Sequence, residues 1–537
     1  THFIIPDEWF GEPKEIPDPD SATSHLSLPA IAVFGEIQGD RVRMHKIHHL
    51  GLTQKRASGR RKNESPDELI RRFFSHAGDL KLDDNKILRP YQKAGVQWLY
   101  GLHKEQYGGI LADDMGLGKT LQVLMRIQSV SLVVVPVSLL HNWENEIRKF
   151  TPHLRVYRMT GAKRQNNPAF LSAFDVVLTT YGTLRNDIAA LKNHTFSYLI
   201  LDESQAIKNS SSQVHKAAMQ ISADNRLAIT GTPVENSLTD LWSQLAVVNP
   251  GLLGSERWFR KHFLLPDGSP GEEEKQELLK QIIRPFILRR TKEAVAPELP
   301  PINAQVLYCD PSDEQWTAYE ESKSEVRNFL LDQQKSGEGK TKSILILQSL
   351  TRLRLIANHP ALSIDNYTGD SGKTNEILNR VQEVVENKNK VLIFSQFVKH
   401  LDLLARELRK NGISYVELSG KDDSKTRESS IREFETNNDI AVFLISLKAG
   451  GTGLNLTAAD YVFLLDPWWN PAVEEQAISR AHRIGQTKPV FVYRFITTGT
   501  LEEKIMQLKE QKQKTADVFV NENVLSVADV ATLLEVI

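Results

Sequence analysis

Residues 110–120 read Ile-Leu-Ala-Asp-Asp-Met-Gly-Leu-Gly-Lys-Thr, an apolar strand running into a glycine-containing loop before Lys-Thr opens a helix. A chain that makes this turn buries the strand in a parallel sheet and aims backbone N–H groups at an anion beyond the sheet's carboxyl edge. Gly116 and Gly118 let the backbone approach a β-phosphate, Lys119 reaches the β- and γ-phosphates, and Thr120 can ligate Mg2+. Asp113 stands where the general G-x-x-x-x-G-K-[ST] pattern has its first glycine, so that match fails at one position.

Around this loop, β-rich runs at 109–112, 132–135, 176–179, 198–201 and 227–230 alternate with helical patterns, which predicts a parallel sheet covered by helices on both faces. From 235 to 360 the strand signal fades, and helical patterns at 272–290 and 313–356 predict a helical insertion and connector, with 333–343 as a mobile polar loop. Alternation resumes at 391–395, 415–418, 441–445, 461–465 and 490–495. The expected fold is therefore α/β, two parallel-sheet lobes at 85–234 and 366–514 joined by a helical connector at 235–365, with a tail at 515–537 that ends in an amphipathic helix from 524. Residues 1–84 receive no role, and their basic run of Lys55, Arg56, Arg60, Arg61 and Lys62 reads as a solvated loop.

Composition removes several function classes. At 537 residues the chain exceeds what one core supports. Its longest apolar stretches, 131–140, 440–447 and 461–469, are shorter than the ~18 residues of a membrane span. Cys309 is the single cysteine, which rules out an internal disulfide or a multi-cysteine metal site and suits a reducing, intracellular compartment. No charged leader followed by an apolar run occupies the first ten residues, so a secretory signal is not expected. The net charge of −1 is silent about a nucleic-acid partner.

A second motif sharpens the first. Residues 198–205, Tyr-Leu-Ile-Leu-Asp-Glu-Ser-Gln, place Asp202 and Glu203 at the carboxyl end of a buried strand. Such a pair alone is more often a helix cap. Downstream of a Lys-Thr loop it reads as a Mg2+ ligand, Asp202, and a residue that orients and deprotonates water, Glu203. Gln476, Arg480 and Arg483 follow at spacings of four and three and share a helix face, as arginines that neutralise transition-state charge could.

Over roughly 88–508 the chain resembles the SWI/SNF-type helicase-like ATPases of helicase superfamily two. The motifs that carry the resemblance are Leu-Arg-Pro-Tyr-Gln at 88–92, Asp-Asp-Met-Gly-Leu-Gly-Lys-Thr at 113–120, Asp-Glu-Ser-Gln at 202–205 and Thr-Gly-Thr-Pro at 230–233. Further along come Ile-Phe-Ser-Gln-Phe at 393–397, Ser-Leu-Lys-Ala-Gly-Gly-Thr-Gly-Leu-Asn-Leu at 446–456, Asp-Pro-Trp-Trp-Asn-Pro from 466 and Gln-Ala-Ile-Ser-Arg-Ala-His-Arg-Ile-Gly-Gln at 476–486. The family normally carries Asp at position 113, whereas Ser204 departs from its usual Ala, Gly or Cys.

The resemblance implies RecA-like lobes and ATP with Mg2+ as cofactors. It implies an ATP site of Gln92, Asp114, Met115, Gly116, Leu117, Gly118, Lys119, Thr120 and Leu121, with Gly453, Gln476, Arg480 and Arg483 from the second lobe. Gln92 would read the adenine edge, Arg483 would meet the γ-phosphate, and Gln205, Thr230, Gly231 and Thr232 would couple nucleotide state to movement. Pro136, Thr180, Ser395, Gln396, Lys448, Gly450, Gly451, Thr452 and Asn455 match positions that touch a nucleic-acid backbone, where small and hydroxyl residues suit phosphate tracking. The expected activity is DNA-stimulated ATP hydrolysis driving translocation on double-stranded DNA and displacement of DNA-bound proteins. Two alternatives stay open: a strand-separating DNA or RNA helicase, which would need stacking aromatics, and a catalytically inactive binding platform. Trp468 and Trp469 are expected to pack the lobe instead of stacking on bases.

Overall fold

A computed structural model describes residues 2–4, 35–38, 41–44, 66–80, 87–231, 238–264, 272–334, 339–420, 422, 424–447, 454–468 and 471–507. The basic run at 55–62 and the expected terminal helix lie outside them. Strands β1 (His2–Ile4), β2 (Gly35–Gln38) and β3 (Arg41–Met44) form a small antiparallel sheet with β3 central. The chain divides into two compact units, Thr1–Asp114 with Gly118–Thr291, and Lys292–Ile537 with Met115–Leu117.

The first lobe is built on strands β4 (Gly109–Leu111), β5 (Ser131–Val135), β6 (Val156–Arg158), β7 (Val176–Thr180), β8 (Thr195–Asp202), β9 (Ser222–Ile229) and β10 (Ile287–Leu288). They lie side by side in the order β10-β4-β9-β8-β5-β7-β6, every pairing parallel. All five residues of β5 and of β7 are buried. Helices on both faces leave such strands no polar side, so they read as unbroken apolar runs.

The second lobe repeats the plan with β11 (Ile302–Cys309), β12 (Val391–Ser395), β13 (Tyr415–Leu418), β14 (Val442–Ser446), β15 (Tyr461–Leu464) and β16 (Val490–Thr497), ordered β11-β16-β15-β12-β14-β13 and again all parallel. Two expectations need correction. The connector is not purely helical: β10 joins the first sheet and β11, eight residues long, joins the second. β11 escapes sequence reading because it is an edge strand whose first four side chains are exposed. The polar segment 333–343 is mostly helical, for Asp313–Gln334 takes in its start and Gly339–Asn358 its end, leaving only 335–338 outside the described residues.

One buried group gives the second lobe a pH dependence. His400, on the helix Val398–Lys410, is wholly buried, and neither ring nitrogen has a hydrogen-bond partner among the described residues. Burial pushes its imidazole down to about 3, and Lys373 and His359 push the same way. The unfolded chain takes up this proton near pH 6.5, so between there and about 3 the unfolded state binds more protons and stability falls with pH. At pH 5 the loss is about 2 kcal/mol from this group. His400→Leu should remove it, so urea denaturation at pH 7 and pH 5 should show the variant losing about 2 kcal/mol less than the parent. Equal losses would show that His400 carries no such penalty.

Candidate nucleotide site and nucleic-acid edge

In the first lobe β4, β9 and β8 are neighbours and parallel. The phosphate loop, Thr230 and the pair Asp202–Glu203 therefore leave from the carboxyl ends of three adjacent strands, and the Thr230 N–H donates to the Leu111 carbonyl at 3.1 Å. Gly116 and Gly118 have φ of +87° and +73°. The positive φ favours glycine at 118, and a Cβ there would also lie 2.5 Å from Gln92 Nε2 and displace that side chain. Lys119 Nζ donates to the Asp113 and Asp114 carbonyls at 2.6 and 3.2 Å. Gln92 is buried, and its Oε1 caps the helix Pro90–Lys104 by accepting the Arg89 N–H at 3.0 Å.

Asp202 is held on every side. Trp143 Nε1 donates to its Oδ2 at 2.7 Å, the Glu203 N–H to its Oδ1 at 2.9 Å, and the Tyr181 hydroxyl to its carbonyl at 2.7 Å. Burial pushes the Asp202 carboxyl up to about 7, with Glu203 adding to the rise, while Trp143, the Glu203 N–H and Lys119 pull it back. A divalent cation would favour its ionised form. Asp202 and Thr120 offer hard oxygen donors, the sparse protein share that suits Mg2+ when phosphates and waters complete its shell. Among the described residues no cluster of three or more His, Cys, Asp or Glu offers an all-protein cage.

Glu203 adopts a left-handed backbone, φ 50° and ψ 58°, uncommon for a residue with a side chain and a form of strain found at functional sites. Gln205 Nε2 holds its Oε2 at 2.9 Å. Ser204, the departure noted in the sequence, is wholly buried and donates to Gln244 Oε1 at 2.5 Å, tying the turn to the helix Leu238–Val248.

The same edge continues past β8 to β5 and β7, whose ends carry Pro136 and Thr180. Thr180 caps the helix Tyr181–Leu191 by accepting the Thr183 N–H at 3.2 Å. In the second lobe Ser395 ends β12. It is wholly buried and its hydroxyl donates to Asp466 Oδ1 at 2.5 Å, while the Gln396 N–H donates to Oδ2 at 3.2 Å. The Ser395 side chain is thus committed inside the lobe. Gln476 and Arg480 are buried on the helix Pro471–Ala481, but the expected shared helix face stops there, because the helix ends two residues before Arg483; Arg480 and Arg483 each approach the Leu454 carbonyl at 3.5 Å. Asn455 is exposed, and Trp468 packs half-buried against the lobe's core. Thr232, Lys448, Gly450, Gly451, Thr452, Gly453 and Trp469 fall outside the described residues. Sequence reading missed Trp143 altogether, and missed the bonds by which Tyr181 holds Asp202 and Arg290 holds Asp113.

The model of the SNF2-related domain matches residues 91–362, and that of the helicase conserved C-terminal domain matches 373–485. The chain belongs to the SNF2-related ATPases. Its SNF2-type core is 40% identical over 447 residues to an uncharacterised ATP-dependent helicase of Mycoplasma genitalium, covering 81% of this chain and 42% of that protein. The putative ATP-dependent helicase/translocase YwqA of Bacillus subtilis is 38% identical, with 80% and 48% covered. The mouse SWI/SNF-related matrix-associated actin-dependent regulator of chromatin subfamily A member 1 is 34% identical, with 81% and 44% covered. The chain thus spans less than half the length of these relatives. A solved Sulfolobus solfataricus SWI2/SNF2 ATPase core in complex with dsDNA is 37% identical, covers 83% of this chain and 94% of its own, and has a TM-score of 0.40. Among the described residues no helix is long and apolar enough to cross a membrane.

Proposed function

We propose that this SNF2-related chain is a double-stranded-DNA translocase whose ATP hydrolysis remodels or displaces DNA-bound proteins. The observation that carries the reading is the order of strand ends along the first lobe: phosphate loop, Thr230, acid pair, Pro136, Thr180 on five consecutive strands. Nucleotide chemistry and a phosphate-backbone track then share one rigid edge, so a shift at one is felt at the other. The Bacillus relative, named a putative ATP-dependent helicase/translocase, and the mouse relative, named a SWI/SNF-related regulator of chromatin, support it.

In this reading Lys119 exchanges the loop carbonyls for phosphate oxygens, and Asp202 with Thr120 hold Mg2+. The cation would neutralise developing charge on those oxygens. Glu203 orients the attacking water and takes its proton, and Arg480 and Arg483 stabilise the transition state. Trp468, half-buried against the lobe's core, serves packing in this reading.

The test is steady-state ATP hydrolysis with no nucleic acid, duplex DNA, single-stranded DNA or duplex RNA, at two salt concentrations, with Lys119→Ala as control. Salt-sensitive stimulation by duplex DNA is expected, because phosphate contacts release counterions. Stimulation by single strands or RNA alone would replace this reading with the helicase one. Arg483→Ala should lower kcat about a hundredfold and leave ATP affinity within about threefold. Equal losses in both would count against a transition-state role.

A further inference from the structure

The chain passes from the first unit to the second between Thr291 and Lys292, and on each side of that step a basic side chain is tied to catalytic machinery. Before the step, the connector runs beside the phosphate loop: the Ala112 N–H donates to the Leu288 carbonyl at 2.7 Å and the Asp114 N–H to the Arg290 carbonyl at 3.0 Å. Arg290 then forks onto the wholly buried Asp113, Nε to Oδ1 at 2.9 Å and Nη2 to Oδ2 at 2.5 Å. Its Nη2 also reaches Gln122 Oε1 at 2.8 Å, and its Nη1 the Tyr91 carbonyl. Gly95 leaves room for this fork, for a Cβ there would lie 1.9 Å from Gln122 Oε1 and 2.8 Å from Arg290 Nη2 and would push both side chains aside. Asp113, where the general phosphate-loop pattern has glycine, thus receives this arginine.

After the step, Lys292 is 7% exposed, and its Nζ donates to the His482 carbonyl at 2.7 Å and to Ser479 Oγ at 3.3 Å. Those two residues flank Arg480 and adjoin Arg483. Within three residues the connector therefore carries one grip on the phosphate loop and another on the end of the arginine-bearing helix. The Arg290–Asp113 grip is a buried ion pair, of a kind that packed apolar residues often replace without loss of stability, and the Lys292 grip is made to a carbonyl and a hydroxyl.

We propose that residues 290–292 form a positioning relay, Arg290 setting the loop through Asp113 and Lys292 setting the end of the helix that carries Arg480 and the turn after it that carries Arg483. Occupancy of the loop by nucleotide is conveyed along the connector backbone to that helix. The relay rests on ATP binding at the loop, and it stands or falls apart from the choice of nucleic-acid track.

Hydrogen exchange of the full chain, with and without saturating ADP, tests it on peptides covering 110–120, 287–296 and 476–485. In the parent, ADP should slow exchange in all three. Arg290→Gln should bind ADP within about fivefold of the parent and keep protection at 110–120, but lose the response at the other two, with kcat down about tenfold. Lys292→Met should lose it only at 476–485. The double variant Asp113→Asn with Arg290→Gln should be no worse than Arg290→Gln, as expected when two residues act as a unit. A merely structural role would raise exchange equally with and without ADP, which overturns the relay, as does ADP protection confined to 110–120 in the parent or unchanged in the variants. Duplex-DNA stimulation of the same preparations is scored separately: its absence in the parent would sink the translocase reading and leave the relay intact.

Discussion

Glu203→Gln should cut ATP turnover about a thousandfold while ATP and DNA stay bound with parental affinity. The substitution keeps the shape of the side chain and removes its capacity to take a proton. Gln205 Nε2 can donate to the new amide oxygen as it now does to Oε2, and the left-handed turn at 203 is set by backbone held through Asp202 and Ser204. In the proposed reading Asp202 would still hold the cation, so ground-state binding should lose little. Single-turnover hydrolysis and equilibrium nucleotide binding separate the two quantities. A variant that loses ATP affinity in step with turnover would mean Glu203 belongs to binding and would return the water-activating role to another residue.

Much of this site could be read from sequence because its chemistry is local. The loop at 110–120 and the acid pair each fall within a dozen residues, and parallel sheets place whatever follows a strand at one edge. The supports of the motifs could not be read. Trp143 lies 59 residues from Asp202 and Arg290 lies 177 from Asp113, and nothing in a linear pattern links them. The departure at Ser204 likewise had no local meaning until Gln244, on a later helix, supplied its partner. The fold divides in the same way. Strands buried on both faces, such as β5 and β12, announce themselves by composition. Strand β11 has Ile302 and Tyr308 on the surface, and β10 is two residues long, so neither gives a usable run. At 339–343 the polar stretch is carried into a helix by the apolar residues that follow it, since extending a helix costs far less than starting one.

Lys373→Met should destabilise the second lobe by about 3–5 kcal/mol. Lys373 and Glu502 are both wholly buried, with Nζ and Oε2 2.5 Å apart, and the ammonium also donates to the Leu465 carbonyl at 3.0 Å and Asn358 Oδ1 at 3.1 Å. Burial pushes the Glu502 carboxyl up, and Lys373 is the first group that draws it back. Removing the cation leaves a buried acid without its ion partner, the costly way to break such a pair, whereas Lys373→Met with Glu502→Leu removes both charges and should recover most of the loss. The sign of the pH effect follows. In the single variant the folded state holds the Glu502 proton more tightly than the unfolded chain does, so its deficit should shrink as pH falls from 8 toward 5. The consequences reach the edge of the sheet, because Leu465 precedes Asp466, which fixes Ser395 and Gln396. Urea denaturation of the single and double variants at pH 8 and pH 5 measures all of this. A single variant within about 1 kcal/mol of the parent at pH 8 would show that Glu502 carries no charge there and that the pair is held together by a shared proton instead of an ion pair.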